Sequence, residues 1–262
     1  MFIDTHCHFD FPPFVEQADL ALQQAEQAGL RGIIVPTVTA DRFDLVMNLS
    51  KQHALLYAAI GLHPIYHHQQ QDLEYLAILL KANRENPKLV ALGEIGLDNY
   101  VTQPELNEQY EYFRAQLTLA KEYELPALLH SRQTHDLLYK ELKRANLPCT
   151  GVVHGFSGSL EQAKQFIRLG YAIGVGGVIT YERANKTRSA IAQLPLSSLI
   201  LETDAPDMPL SGYQGQPNRP ERVAEVFNVL CALRAESPDV IKQTIFENTL
   251  QLFPRLKETI SY

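Results

Sequence analysis

His6 and His8 stand one residue apart near the start of the chain, and Glu94, His130, His154 and Asp204 follow at long intervals. Imidazole and carboxylate groups are good ligands for zinc, manganese and similar divalent ions, and a carboxylate can bridge two of them. Four histidines with two carboxylates suit a binuclear site better than a mononuclear one. A lone histidine at a strand end is more often a satisfied polar residue, and a His-x-His pair alone leaves the matter even. All six residues, however, fall at one kind of place, the C-terminal end of an apolar run, and coincidence does not account for that. The chemistry such a set supports is hydrolysis by a water whose pKa a bound metal lowers toward neutrality.

The apolar runs alternate with longer amphipathic stretches. Phe2 to His8 alternates and ends polar; its period of two puts His6 and His8 on one face and Cys7 on the other, as core rather than ligand. Further strands are predicted at 32–36, 55–61, 88–94, 126–130, 151–154, 171–175 and 199–202. Helices are predicted at 16–28, 41–53, 72–83, 104–122, 135–144, 159–169, 219–234 and 238–250. On this map Glu94, His130 and His154 end strands four, five and six, and Asp204 lies just past strand eight. Eight strands of continuous Val, Ile and Leu, each followed by helical or loop sequence, predict an α/β protein. Its architecture is a single (β/α)8 TIM barrel over residues 1–262. Barrels of this kind take about 250 residues and keep their active sites at the C-terminal ends of the strands. The Pro-, Gly- and Asn-rich stretch 205–220 is expected to loop over that mouth.

Other residues admit two readings each. His63 ends strand three and faces the same mouth, as a substrate-phosphate contact or as a hydrogen-bonded group stiffening the turn at Pro64. Arg132 follows a ligand by two residues; it clamps a phosphate with its forked guanidinium, or it is a surface arginine starting a helix. Glu202 either orients a ligand or is a buried carboxylate of a barrel layer. Asp98 reads as a turn or capping residue. Arg183, Lys186, Arg188 and Arg219 read as solvated charges rather than a groove, and His67 and His68 as part of an exposed polar loop. Tyr100, Phe156, Tyr181 and Tyr213 are the aromatics available for stacking a base.

Six segments carry a resemblance. Asp4-Thr5-His6-Cys7-His8-Phe9-Asp10, Gly61-Leu62-His63-Pro64, Gly93-Glu94-Ile95-Gly96-Leu97-Asp98, His130-Ser131-Arg132, His154-Gly155-Phe156-Ser157-Gly158 and Leu201-Glu202-Thr203-Asp204-Ala205-Pro206 occur in order. Together they resemble the motif set of the TatD family, within the amidohydrolase-like metal-dependent barrels. The resemblance implies two divalent ions per subunit, of Zn, Mn or Mg. It implies that His6, His8, Glu94 and Asp204 hold one and that Glu94, His130 and His154 hold the other, with Glu94 bridging. It also implies a deoxyribonuclease activity, with Asp204 as the general base that deprotonates the attacking water. No ligand position departs from the pattern. Asn99 stands where an aromatic residue is common, and the loop 214–220 is closest to a subgroup of the family, so specificity is less firmly implied than chemistry.

The net charge of −7 weighs against bulk attraction to a polyanion without excluding a local one. Three cysteines without a CxxC pair suit a reducing compartment, and no long apolar run or leader pattern occurs, so a cytoplasmic location is expected, with no membrane. The substrate is expected to be DNA or a small phosphoester, with no obligate protein partner. Two other readings stay open: hydrolysis of a small lactone or amide, which the same metal barrel supports, and a non-catalytic metal or nucleic-acid binding module.

Overall fold

The apolar runs become parallel strands because both their faces are covered, by helices outside and by one another inside. The computed structural model describes residues 1–260. Among these, the sheet has eight strands: β1 Phe2–Asp4, β2 Leu30–Pro36, β3 Leu56–Ile60, β4 Leu89–Asp98, β5 Ala127–Arg132, β6 Gly151–Val153, β7 Ala172–Val175 and β8 Leu199–Leu201. They pair in chain order, all parallel. The helices are α1 Ala18–Gln27, α2 Phe43–Gln52, α3 Gln70–Ala82, α4 Leu106–Glu122, α5 His135–Ala145, α6 Leu160–Arg168, α7 Asn185–Gln193, α8 Val223–Leu233 and α9 Pro238–Leu252. Chain past β1 meets chain at and past β8 where Thr5 N donates to Leu201 O (3.1 Å), Asp204 N to His6 O (2.8 Å) and His8 N to Ala205 O (2.7 Å). This is the (β/α)8 barrel the sequence predicts. No helix among the described residues is long and apolar enough to cross a membrane.

The barrel interior is apolar at one end and polar at the other. Ile34, Val90, Leu128, Val152 and Ile200 form one cluster with Phe253 and Leu256 of the C-terminal segment, which plugs the bottom. Two residues on from Leu128, Val152 and Ile200 come His130, His154 and Glu202, and the strand period of two keeps them pointing inward. The plug and the polar mouth are therefore written on the same strand faces, one step apart.

Several boundaries and one helix differ from expectation. The regular strand β1 ends at Asp4, and His6 and His8 lie on the bonded extension that runs against Ala205. Glu94 does not end β4; pairing with β5 continues to Asp98–Arg132, and the register shifts between Leu92 and Ile95, where Glu94 sits. Close packing explains that local geometry. A Cβ on Gly93 would come within 2.5 Å of Leu128 Cβ, and one on Gly61 within 2.7 Å of the Gly93 backbone. Helix α7 was not expected, because its buried residues are Thr187, Ala190 and Ile191 and leave little apolar periodicity to read.

Helix α5 opens with His135, whose ring packs edge-on to Phe156 (5.3 Å between centroids) and Phe166 (6.3 Å). Burial pushes its pKa down to about 4. The folded value lies below that of the unfolded chain, so the unfolded chain takes up the extra proton. The stability contributed by neutral His135 is complete above about pH 6.5 and is lost as pH falls toward 4, by about 3 kcal/mol in full. Denaturant titrations between those pH values should show a steeper loss for wild type than for His135→Leu; parallel curves would contradict the assignment.

Candidate metal centre

Glu94 lies at the middle of the mouth and its two oxygens face two different groups. Oε2 is 3.2 Å from His6 Nε2 and 3.4 Å from His8 Nε2, and Asp204 Oδ1 stands 3.6 Å from each of those nitrogens. Oε1 is 3.0 Å from His130 Nδ1, 2.6 Å from His154 Nε2 and 3.1 Å from His63 Nε2. All six residues named as ligands from the sequence are thus brought together, and His63 with them. Donor atoms of His6–Glu94–His154, of His6–His8–Asp204 and of His63–Glu94–His130 each lie within 4.8 Å of one another. Borderline nitrogen and carboxylate donors at this spacing fit divalent ions of the zinc or manganese type.

Two parts of the donor set are braced from behind. Asp4 is fully buried and accepts from His6 N (3.3 Å), Thr203 N (2.9 Å) and Thr203 Oγ1 (2.6 Å), tying the His-x-His segment to the Asp204 turn. Asp98 accepts from Tyr100 N and Val101 N with one oxygen, the turn role the sequence suggests. Its other oxygen accepts from His130 Nε2 at 2.8 Å. That bond puts a proton on His130 Nε2, so that Nδ1, 3.0 Å from Glu94 Oε1, would be the ring atom to offer its lone pair to an ion. The loop 205–220 is stapled over the mouth by buried Asn218, whose Nδ2 donates to Thr203 O (2.8 Å) and Met208 O (3.2 Å).

His63 is held differently. Its Nδ1 accepts the amide of Ile65 at 3.2 Å, so its proton sits on Nε2 and that atom is a donor, not a ligand, in this arrangement. His68, which the sequence places in an exposed loop, is half-buried and donates from Nε2 to His63 O at 2.8 Å. His67 is exposed, as expected, and pairs with Glu108.

The electrostatics follow from one carboxylate among many rings. Burial opposes ionisation of Glu94, but the surrounding His63, His154 and His6 outweigh it and hold the pKa well below the usual range. Burial likewise opposes charge on His154, and Glu94 raises it to about 10 despite that. His6 goes the other way, driven down by burial and by His154. The two rings stack at 3.8 Å between centroids, so a second positive charge there is strongly disfavoured. Burial lifts the Asp204 carboxyl above its ordinary value although His154 and His8 pull it down. Glu202 is raised to about 7, again by burial.

The centre opens into a cavity of about 600 Å³. Arg132 lines it with its guanidinium 3.6 Å over the ring of Tyr100, and no hydrogen bond or ion pair of its side chain occurs among the described residues. Tyr100 is 60% exposed. Of the other aromatics expected at the mouth, Phe156 is buried against His135, and Tyr213 is engaged by Arg222 and Glu225. Tyr181 donates to Pro209 O. Phe11 and Tyr66 line the cavity instead; nothing in their spacing marks them in the sequence. Arg188 and Arg219 are occupied, by Ile179 O and by Gln24 with Glu221 respectively.

Comparison with known proteins bears on the family and the fold. The family model described as "TatD related DNase" matches residues 3–254. A protein of Escherichia coli named "Uncharacterized metal-dependent hydrolase YjjV" is 57% identical, the match covering 96% of this chain and 97% of that one. The crystal structure of YjjV, described as a TatD homologue, superposes with a TM-score of 0.94 over 97% of this chain and 98% of that one. A metal-dependent hydrolase of Haemophilus influenzae is 47% identical over 96% of this chain and 99% of its own length. A zebrafish protein named "Putative deoxyribonuclease tatdn3" is 29% identical over 98% of each chain. On the match over nearly its whole length, this chain belongs to the TatD family of metal-dependent hydrolases.

Proposed function

We propose that this hydrolase cleaves phosphodiesters, with DNA as its substrate, at a centre of two divalent ions. The observation that carries the reading is the division of donors between the two oxygens of Glu94. His6, His8, Glu94 and Asp204 would hold one ion of Zn, Mn or Mg; Glu94, His130 and His154 would hold the other. Bound there, the ions would acidify a water and draw charge from the phosphoryl oxygens.

The residues do the rest. Asp204 keeps 17% of its side chain exposed, so it reaches the cavity from its place beside His6 and His8, and it takes the proton of the attacking water. Neutral His63, whose Nε2–H points at Glu94 Oε1 in this arrangement, would turn that proton to a non-bridging phosphoryl oxygen when ions hold Glu94. Arg132, stacked on Tyr100, keeps its N–H edge free for the same phosphate and is the cation best placed to receive it. The zebrafish relative's name supports the choice of DNA. Three free cysteines suit a reducing, cytoplasmic setting.

A small phosphoester is the second reading, favoured by a cavity of about 600 Å³ that is ample for a nucleotide-sized group. Turnover of an activated phosphodiester, a lactone and an amide by the metal-loaded protein separates ester chemistries. The phosphodiester should be the substrate, and Arg132→Ala should lower its kcat/KM about 10- to 100-fold, the weight of a charge-assisted hydrogen bond. Preference for the lactone or amide, with Arg132→Ala without effect, would overturn the proposal.

A further inference from the structure

Glu202 is fully buried, and its two oxygens have different surroundings. Oε1 accepts the amide of Gly155, the residue that follows His154. Oε2 has no hydrogen-bond partner among the described residues. A bare buried carboxylate oxygen is costly, so something other than its own bonds must keep it in place. The neighbouring strand supplies the shape. A Cβ on Gly174 of β7 would lie 2.3 Å from Oε2 and 2.9 Å from Oε1, and one on Gly176 would lie 3.3 Å from Cγ. Neither glycine has a left-handed φ, so it is the missing Cβ that the position uses. The Glu202 backbone is pinned as well, its N–H donating to Val175 O at 3.1 Å.

We infer that Glu202 is a positioning residue for the candidate metal centre: holding the Gly155 amide fixes the turn that aims His154 at Glu94 Oε1, and Gly174 and Gly176 are the space its carboxylate occupies. The inference rests on the metal-centre reading above. It assigns Glu202 to one side of the pair, because His154 faces Oε1, whereas His8 and Asp204 stand on the Oε2 side.

The experiment is calorimetric titration of the metal-stripped full chain with Mn or Zn, together with melting of the metal-free protein. His154→Ala marks which of the two binding steps belongs to its side. Glu202→Ala should weaken that step about 10- to 100-fold, the usual cost of losing a group that orients a ligand, and leave the other step unchanged. Gly174→Ala leaves Glu202 chemically intact but crowds Oε2, and should weaken the same step. In the double variant the crowding has nothing to displace, so the effect should be no larger than that of Glu202→Ala alone. Glu202→Gln keeps an acceptor oxygen for Gly155 and should restore most of the affinity. Should Glu202→Ala be insoluble, Gly174→Ala and Glu202→Gln carry the test. The inference is overturned if Gly174→Ala leaves both steps unchanged, if Gln is as damaging as Ala, or if both steps weaken equally with a lower melting temperature. Wild-type protein that binds no ion would instead remove the metal-centre reading beneath it.

Discussion

Asp204→Asn should lower turnover by about 1,000-fold while the protein keeps its metal, because the amide retains an oxygen donor but cannot accept a proton. The geometry distinguishes these two roles. Asp204 Oδ1 stands 3.6 Å from both His6 and His8, the place of a ligand, yet the side chain is the more exposed partner of that group and meets the cavity. Its backbone is fixed independently of its carboxylate, by the bond from Asp204 N to His6 O and by Asp4 holding Thr203. The substitution therefore changes proton chemistry without loosening the turn. Rate and metal content measured on the same sample decide the matter. A fall in rate matched by an equal fall in bound metal would reduce Asp204 to a ligand alone.

Glu94→Gln should have the larger effect, with hydrolysis lost below detection and bound metal below one ion per chain. Among the described residues Glu94 is the one carboxylate that touches both donor groups, and five imidazole rings lie within 3.4 Å of it. Removing its charge takes the shared ligand from both groups at once. A His8→Ala variant should spare the Oε1 side, where His130 and His154 stand, so its metal content should exceed that of Glu94→Gln. Elemental analysis after dialysis checks this; equal metal in Glu94→Gln and wild type would show that the carboxylate does not bridge.

Much of this site was legible in the sequence because a barrel converts position along a strand into position at the mouth. His130 and His154 lie two residues beyond the apolar Leu128 and Val152, so strand period alone points them inward. The bracing was not legible. Asp4 reaches Thr203 and Glu202 reaches Gly155 across the barrel wall, contacts set by shear and closure rather than by local pattern. Asp98 could be read as a turn residue, and it is one; its second oxygen, on His130, depends on the β4–β5 register continuing past Glu94. The cavity wall was the least legible part. Phe11 and Tyr66 come from loops, where no periodicity announces which side chains turn inward, whereas Phe156, in a motif, was taken up by the packing around His135. His63 was placed correctly at the mouth, but only its bond from Ile65 N shows that its proton sits on Nε2.

If the donors divided about Glu94 hold two ions that hydrolyse a DNA phosphodiester, DNA cleavage must depend on those ions and on Asp204. The most direct test is degradation of end-labelled single- and double-stranded DNA by metal-stripped protein re-supplied with Mg, Mn or Zn, run beside Asp204→Asn. Wild type should cleave only with metal present, and the variant should lose nearly all cleavage at equal metal content. Protein that binds two ions yet leaves DNA intact with every metal would contradict this.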